Sequence, residues 1–294
     1  MCIRDSVIDA LSYFHIVRFT ANGQRELEKT HDVGDGNFTT NDLYGDAAAG
    51  LAVQEDGDIL MVGRFNEPWR HGDASGFGTL RLNELLERDD SNGGATAEFN
   101  IDLSNTPGGQ TSFVNSSLVL PDGKVLLVGT DNGDVLVTRH LASGRLDVSF
   151  GDGGKTAFAV HNAPTNNNQG YRATLGLDGK ILITGYADNG GNIDVFVARM
   201  TASGLLDSSF GSNGVTHFNI GGGSTADDYG YAIVTIPDGE HKGKIVVAGR
   251  SGDNIALLRL MGDFDDREPP SNITLTELDV DENSDIGTLS LIHI

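Results

Sequence analysis

Cysteine is almost absent from this sequence, and the single residue, Cys2, lies at its amino-terminal end. A chain with one cysteine forms no intramolecular disulfide and offers no thiolate cluster for zinc. The eight histidines contain no H-x-x-x-H pair, so a zinc site is not supported from that side either. Stability therefore has to come from packing of the chain itself.

Basic residues are also scarce. Lysine and arginine total 20 against 42 aspartates and glutamates, which gives a net charge of −22. Phosphate backbones would be repelled by such a surface, so nucleic acid is excluded as a partner. The acidity suits solubility or calcium binding. Apolar runs of about 18 residues are missing as well, so no membrane span is predicted.

Long amphipathic helices are a further absence, and residues 83–90 (NELLERDD) offer one helical turn at most. The apolar runs are instead short, rich in β-branched residues, and bounded by Gly, Asp, Asn and Pro. That punctuation is typical of strands joined by tight turns. The sequence predicts an all-β protein.

What the chain does contain is an internal repeat. The stretch GDGGKT (151–156) looks like a phosphate-binding loop, but Ser149 stands where the first glycine of that motif belongs. Residues 141–158 and 201–218 share eleven of eighteen positions, and Val215 is the counterpart of Lys155. A phosphate-binding lysine would not be replaced by valine in a sister copy. The stretch is therefore a repeat element.

The repeat unit is about sixty residues long. Asp-Gly turns followed by apolar runs recur at 56–63, 122–129 and 178–185, and a fourth copy (238–249) carries the insertion 240–243. A later run ends in arginine in every copy: Arg18, Arg81, Arg139, Arg199 and Arg259, at steps of 63, 58, 60 and 60. The third copy shows four runs (116–120, 124–129, 134–139 and 155–160). Four strands repeated in this way predict β-propeller-type blades of four antiparallel strands. The chain holds about four and a half of them, as an open or incomplete ring.

The motif LDxSFGxxGxTxF after a run ending in arginine resembles the bacterial delta-60 repeat family. The resemblance covers residues 7–262, as a partial copy at 7–43 and copies at 44–110, 111–166, 167–226 and 227–262. It implies propeller blades in a large secreted or cell-surface bacterial protein. It brings no catalytic residues.

The two ends differ from the repeats. An acidic linker ending in proline (263–271) precedes residues 272–288, which resemble the truncated start of a cadherin-like domain. That resemblance implies a calcium-ligand role for Glu282 within a complete domain. The strings MCIRDS (1–6) and LSLIHI (289–294) resemble adapter-derived sequence and are predicted to be non-native. The chain is then a piece of a longer protein.

The repeated arginines allow two interpretations. They line an anion-binding channel, or they serve the frame by pairing with acidic loops such as those of Asp147 and Asp207. A residue repeated in every blade favours the structural role, which we also assign to the motif residues Phe150, Gly151, Phe210 and Gly211.

Calcium is the one cofactor that the sequence suggests. Oxygen donors cluster at 131–134, 188–194 and 263–266, although none of these loops has EF-hand spacing. Solvated hairpin turns have the same composition. Two surface segments differ most from the repeat pattern: the insertion 240–243 and a predicted loop at 64–77, which contains Trp69. The Trp69 ring is either a sugar-stacking platform or packed on its own blade.

The function predicted from these features is a non-catalytic repeat scaffold or binding module of an extracellular or cell-surface protein, used in adhesion or surface interaction. Its partner would be a protein or a carbohydrate at the cell surface. The alternative is a propeller hydrolase or lyase acting on polysaccharide, for which acidic or tyrosine residues that break the repeat while facing the central channel would be the mark. A purely structural stalk is the third class. No G-x-S-x-G elbow occurs, and no catalytic residue is assigned.

Overall fold

The structure is a computed structural model. It describes residues 2–3, 6–8, 11–31, 47–53, 57–67, 74–87, 98–99, 113–161, 167–220, 226–260, 274–277 and 290–293. Every regular element in these ranges is a β-strand, so the predicted all-β class is confirmed. The described part of the chain contains no helix able to cross a membrane.

The strands occur in five groups along the chain. The first three groups are β1 (Cys2–Ile3), β2 (Ser6–Ile8), β3 (Leu11–Phe19) and β4 (Arg25–His31); β5 (Ala47–Val53), β6 (Ile59–Glu67), β7 (Ala74–Leu82) and β8 (Glu98–Phe99); and β9 (Phe113–Val119), β10 (Val125–Asp131), β11 (Asp134–His140) and β12 (Lys155–Phe158). The last two are β13 (Asn168–Leu175), β14 (Ile181–Asp188), β15 (Ile193–Met200) and β16 (Val215–Phe218); and β17 (Asp228–Thr235), β18 (Ile245–Ser251), β19 (Asn254–Leu260), β20 (Thr274–Glu277) and β21 (Ser290–His293).

Each group forms one sheet. In sheets 2, 3 and 4 the four strands lie in sequence order. Neighbouring strands are antiparallel throughout sheets 2 and 4, and so are β9 and β10 of sheet 3. This is the four-stranded blade that the repeat predicts. Sheet 1 is built around β3, which pairs with β1, β2 and β4. Sheet 5 has five strands, because β21 adds to β19 in parallel and β20 pairs with β21.

Asp-Gly turns join the first two strands of the repeats. In sheet 3 the amide of Gly123 donates to the carbonyl of Leu120 at 2.9 Å, and the φ of Gly123 is 78°. A positive φ costs glycine little, since it has no Cβ. The Asp122 carboxylate accepts from the amide of Lys124, so the local side chain and backbone together fix the turn. The second strands that follow are buried on both faces, as Val125 to Thr130 show.

The chain divides into two compact units. The first contains residues 1–132 and 138–148, and the second contains 133–137 and 149–294. In the first unit, apolar residues of sheets 1 and 2 form one cluster around Ile16, Ile59, Met61, Leu80, Leu82 and Leu86. Gly50 of β5 lies so close to Ser117 of β9 that a Cβ at Gly50 would stand 2.3 Å from the serine Oγ.

In the second unit, sheets 4 and 5 share a core. It is built from Leu182, Val195, Val197, Phe210, Phe218, Ile220, Ile233, Ile245, Val247, Ala256, Leu258 and Leu260. The first strand of sheet 5 packs on sheet 4, where Gly230 of β17 lies against Thr184 and Gly185 of β14. Burial of these apolar side chains is the main stabilising contribution to this pair of sheets.

One sequence expectation is wrong. The loop predicted at 64–77 is mostly strand, since β6 continues to Glu67 and β7 begins at Ala74. Residues 64–67 and 74–77 extend the hairpin because each pairs with the other strand, as in Arg64 with Phe77 and Glu67 with Ala74. Trp69 lies outside the described residues.

Candidate functional site

The repeated arginines of sheets 3 and 4 form ion pairs with aspartates of their own repeats. Arg139 Nε donates to Asp147 Oδ2 at 2.8 Å, and Lys124 Nζ lies 3.1 Å from the same oxygen. In the next repeat Arg199 Nε donates to Asp207 Oδ2 at 2.8 Å, with Lys180 Nζ at 2.8 Å. Each aspartate thus pairs with one arginine and one lysine of its own repeat.

The first two repeats use other carboxylates. Arg81 Nη2 donates to Asp58 Oδ2 at 2.6 Å, and Arg18 Nε donates to Glu26 Oε2 at 3.1 Å. Both guanidinium groups also reach the turn of the following repeat, where Arg81 Nη1 donates to the carbonyl of Ala142 at 2.7 Å and Arg18 Nη1 to that of Glu84. Arg259 has the same register position, opposite Val246, that Arg199 has opposite Leu182.

Asp207 shows how strongly these groups are held. Burial by itself would raise the pKa of the Asp207 carboxyl. Hydrogen bonds from Lys180 and Ser209, together with the charge of Arg199, outweigh burial and hold the pKa far below its usual range. The guanidinium of Arg199 also lies 4.8 Å from the centre of the Phe210 ring. These contacts favour structural roles for Arg199, Asp207 and Phe210.

The motif residues around Phe150 connect two repeats within the second unit. The amide of Gly151 donates to the carbonyl of Ser203 at 2.8 Å, and Thr156 Oγ1 donates to the carbonyl of Gly204 at 2.6 Å. Phe150 and Phe210 are fully buried. Gly211 repeats the positive φ of Gly151, at 52° against 54°. The motif residues therefore hold the turn of the next repeat in place through two hydrogen bonds.

A group of side chains that break the repeat lies on sheets 4 and 5. Four of the six tyrosines in the sequence are gathered there: Tyr171, Tyr186, Tyr229 and Tyr231. We call them the tyrosine cluster. Tyr171 and Tyr231 occur sixty residues apart at the same repeat position, on the first strands of the two sheets. The corresponding residues of sheets 2 and 3 are Ala49 and Asn115.

That position is a β-bulge in each of the four sheets. The register shifts between Gly170 and Arg172 and between Gly230 and Ala232, which leaves Tyr171 and Tyr231 as the extra residues of their strands. Bulges redirect a side chain and are frequent beside binding sites. The frame thus keeps the bulge while its side chain changes from one repeat to the next.

The four rings contact one another. The centres of Tyr171 and Tyr231 are 5.3 Å apart with an angle of 71° between the rings, and those of Tyr186 and Tyr229 are 5.0 Å apart at 73°. Tyr171 lies 5.6 Å from Tyr186, and Tyr229 lies 5.8 Å from Tyr231 with nearly parallel rings. These separations are typical of favourable edge-to-face and offset aromatic pairs.

Arg250 completes the cluster. It pairs with Tyr229 across β17 and β18, and its guanidinium carbon lies 4.4 Å from the centre of the Tyr229 ring. Within the described residues the Arg250 guanidinium forms no ion pair with a carboxylate, in contrast to Arg139 and Arg199. A positive charge held by an aromatic ring is thus available at the surface of this strongly acidic chain.

Burial raises the pKa of two tyrosines of the cluster, Tyr171 and Tyr186. Burial, followed by the neighbouring tyrosines, raises the pKa of Tyr186 to about 12. The same causes raise the pKa of Tyr171, and the charge of Arg250 offsets part of that rise. Tyr231 is 42% exposed, and among the described residues neither Tyr171 nor Tyr231 has a hydrogen-bond partner for its hydroxyl. The cluster therefore offers aromatic surface, free hydroxyl groups and one cation.

Two histidines far apart in the sequence also meet. The rings of His161 and His217 lie 4.3 Å apart, and His161 Nε2 is 4.0 Å from Asp194 Oδ2. Burial and the charge of His217 lower the pKa of His161 in spite of Asp194 and Asp188, so His161 is neutral at pH 7. Nowhere in the described ranges do three or more His, Cys, Asp or Glu side chains form a group suited to a metal ion.

The predicted calcium loops that fall within the described residues are hairpin turns. Asn132 and Gly133 join β10 to β11 with φ values of 52° and 82°. In the 188–194 loop the carboxylate of Asp194 accepts hydrogen bonds from Asn189 and Asn192, at 2.8 and 3.2 Å. Residues 263–266 and Glu282 lie outside the described residues.

The sequence analysis predicted that acidic or tyrosine residues that break the repeat and face the central channel would mark the hydrolase or lyase alternative, and it singled out none of these four tyrosines. The available signal was GY at 170–171 and again at 230–231, sixty residues on. Without the strand register nothing connects these two tyrosines to Tyr186 or to Arg250.

Comparison with known proteins adds to the fold. Residues 177–210 match the family model described as a domain of unknown function (DUF5122) beta-propeller. No curated protein matches the chain. A crystal structure of a protein from Lactobacillus plantarum, solved by structural genomics, is similar at 14% identity and a TM-score of 0.34, over 83% of this chain and 76% of that one. The family match supports propeller-type repeats and assigns no activity.

Proposed function

We propose that this chain is a non-catalytic repeat scaffold and binding module of a large secreted or cell-surface bacterial protein, and that it binds its partner through the tyrosine cluster. The observation that carries the proposal is the placement of Tyr171 and Tyr231 at a bulge that the repeats share, where other sheets carry alanine or asparagine. The bulge in the backbone is the same in these repeats, whereas the side chain at the bulge differs between them.

The charges that every repeat shares support the same division of roles. Arg81, Arg139 and Arg199 are buried and paired with carboxylates, so their guanidinium groups hold the blades together. The tyrosines of the cluster, unlike these arginines, do not recur in every repeat. Tyrosine is favoured at binding surfaces because its ring gives a large rigid contact and its hydroxyl remains wet.

The location at a bacterial surface rests on the resemblance of residues 7–262 to delta-60 repeats and of residues 272–288 to the start of a cadherin-like domain. The combination of delta-60-like repeats with a cadherin-like domain supports a proposed role in adhesion. Calcium would then act through Glu282 in the complete cadherin-like domain, outside the propeller-type repeats.

The test is binding of the purified chain to immobilised polysaccharides and extracellular-matrix proteins. Tyr231→Ala should abolish or weaken binding at least tenfold. Phe19→Ala removes a ring of similar exposure, 39% against 42%, from a different sheet and should leave binding unchanged.

Two results contradict the proposal. Equal losses in both variants would mean that the tyrosine cluster is not the binding surface. Release of reducing ends from any of the polysaccharides would make the chain an enzyme and favour the hydrolase or lyase alternative.

A further inference from the structure

We infer that the tyrosine cluster and Arg250 form a binding site for a uronic-acid sugar of an acidic polysaccharide, with the sugar ring against Tyr171 and Tyr231 and its carboxylate on the Arg250 guanidinium. This inference rests on the proposed function and specifies its ligand. It is argued from ring geometry, exposure and charge within the second unit.

The first step is the shape of the surface. Tyr231 is 42% exposed, and its ring meets Tyr171 at 71° with the two centres 5.3 Å apart. Tyr186 contacts Tyr171 and Tyr229 contacts Tyr231, and Tyr186 is buried. A pyranose ring has a face of C–H groups that suits an aromatic surface, while its hydroxyls remain at the rim.

The second step is the polar rim. The Tyr171 and Tyr231 hydroxyls have no protein partner among the described residues, and burial raises the pKa of the Tyr171 hydroxyl. Each hydroxyl both donates and accepts a hydrogen bond. A polyhydroxyl ligand satisfies such groups better than an apolar side chain does.

The third step is charge. Arg250 is exposed, its guanidinium lies 4.4 Å from the Tyr229 ring centre, and among the described residues it forms no ion pair with a carboxylate. A guanidinium binds a carboxylate through two parallel hydrogen bonds. A cationic ligand would meet the same aromatic faces but would be repelled by Arg250, so an anionic group is the complement of this site.

The net charge of −22 makes the site selective for ligands that also gain from stacking. Acidic chains without a stacking face are repelled by the surrounding surface, and at physiological salt that repulsion extends only about 8 Å. An acidic peptide has a carboxylate but no pyranose face, so it should bind weakly.

The experiment measures binding of trigalacturonic acid by calorimetry at physiological salt, beside its carboxyl-reduced galactotriose counterpart and tetraglutamate. We expect trigalacturonic acid to bind at least tenfold more tightly than the other two. Arg250→Gln should remove the difference between the acidic and neutral sugars, and Tyr231→Ala should weaken both. Arg145→Gln, which removes an exposed arginine from the first unit, is the matched control and should change neither.

Equal affinity for the acidic and neutral sugars, no binding of either, or equally tight binding of tetraglutamate would each overturn the inference. If the polysaccharide and matrix panel still shows binding that depends on Tyr231, the proposed function survives and only the ligand class is wrong. Loss of that dependence as well would reject both.

Discussion

Arg81 Nη1 donates a 2.7 Å hydrogen bond to the carbonyl of Ala142, which lies 61 residues further along the chain. The same guanidinium donates to Asp58 at 2.6 Å. One side chain therefore pairs with a carboxylate of its own sheet and holds the turn of the next repeat. Arg18 makes the equivalent pair of contacts to Glu26 and to the Glu84 carbonyl. This double role accounts for the arginines of the first two repeats, Arg18 and Arg81.

Arg199→Met should lower the free energy of unfolding by about 2 kcal/mol, because a hydrogen-bonded ion pair to Asp207 and a contact with the Phe210 ring are lost. Chemical denaturation measures the change. Arg145→Met, at an exposed position, should stay within about 0.5 kcal/mol of the native chain. Unchanged stability of Arg199→Met combined with lost ligand binding would instead favour the anion-binding interpretation.

Gly204→Ala should be clearly more destabilising than Gly179→Ala. Both glycines have a positive φ, 88° and 77°, so each alanine is strained by about 1–2 kcal/mol. At Gly204 the new Cβ would also stand 2.8 Å from the Gly151 amide and the Phe150 ring, whereas nothing lies within 4 Å at Gly179. The extra cost should be about 1–3 kcal/mol, measured by denaturation of both variants. Equal destabilisation by the two substitutions would mean that the contact between Phe150, Gly151 and the Gly204 turn adjusts easily to an added Cβ.

His140 should make the protein less stable as the pH falls from about 6.5 towards 4. Burial lowers the pKa of His140 from 6.5 to about 4, in spite of the backbone hydrogen bond to Gly144. The unfolded chain therefore binds the proton first, and stability is complete above pH 6.5 and lost below it. The full effect is about 3 kcal/mol.

His140→Met provides the test, because Met200 fills the same position in the next repeat. The variant should lose less stability than the native chain between pH 7 and pH 4.5 in urea titrations. Parallel losses in the two proteins would show that His140 does not govern this range.

Asp207→Asn tests the carboxylate shared by Arg199 and Lys180. Because the folded pKa of Asp207 is held below its usual range, its contribution is present above about pH 4 and is lost as the pH falls further. The variant should be less stable than the native chain at pH 7, and the difference should be smaller at pH 2.5. Thermal unfolding at both pH values measures this. A constant difference would assign the contribution to packing instead of charge.

Much of the frame was predictable from local sequence. The Asp-Gly turns, the doubly buried second strands and the arginines at the ends of the third strands are encoded within a few residues, and the repeat multiplies each signal. The partners of Arg139 and Arg199, Asp147 and Asp207, lie eight residues away, inside the same motif. The partner of Arg81 was not named, because Asp58 belongs to the hairpin before it.

The candidate site was not predictable in the same way. Alternation along a strand would place Tyr229 and Tyr231 on one face, but it assigns no neighbour on another sheet. The contact between Tyr171 and Tyr231 depends on two bulges and on the close approach of Gly230 to Thr184 and Gly185. Likewise, His161 follows β12 and His217 lies in β16, and their contact requires both strands to be placed.

The sequence by itself determined the all-β class, the sixty-residue period and the ion pairs of Arg139 with Asp147 and Arg199 with Asp207, because turns, strands and short-range ion pairs are local. Only the tertiary structure decided which exposed side chains meet. Packing of β17 on sheet 4 brings tyrosines of two repeats together and places Arg250 on the ring of Tyr229. Such contacts depend on the distance between sheets, which no local pattern of residues specifies.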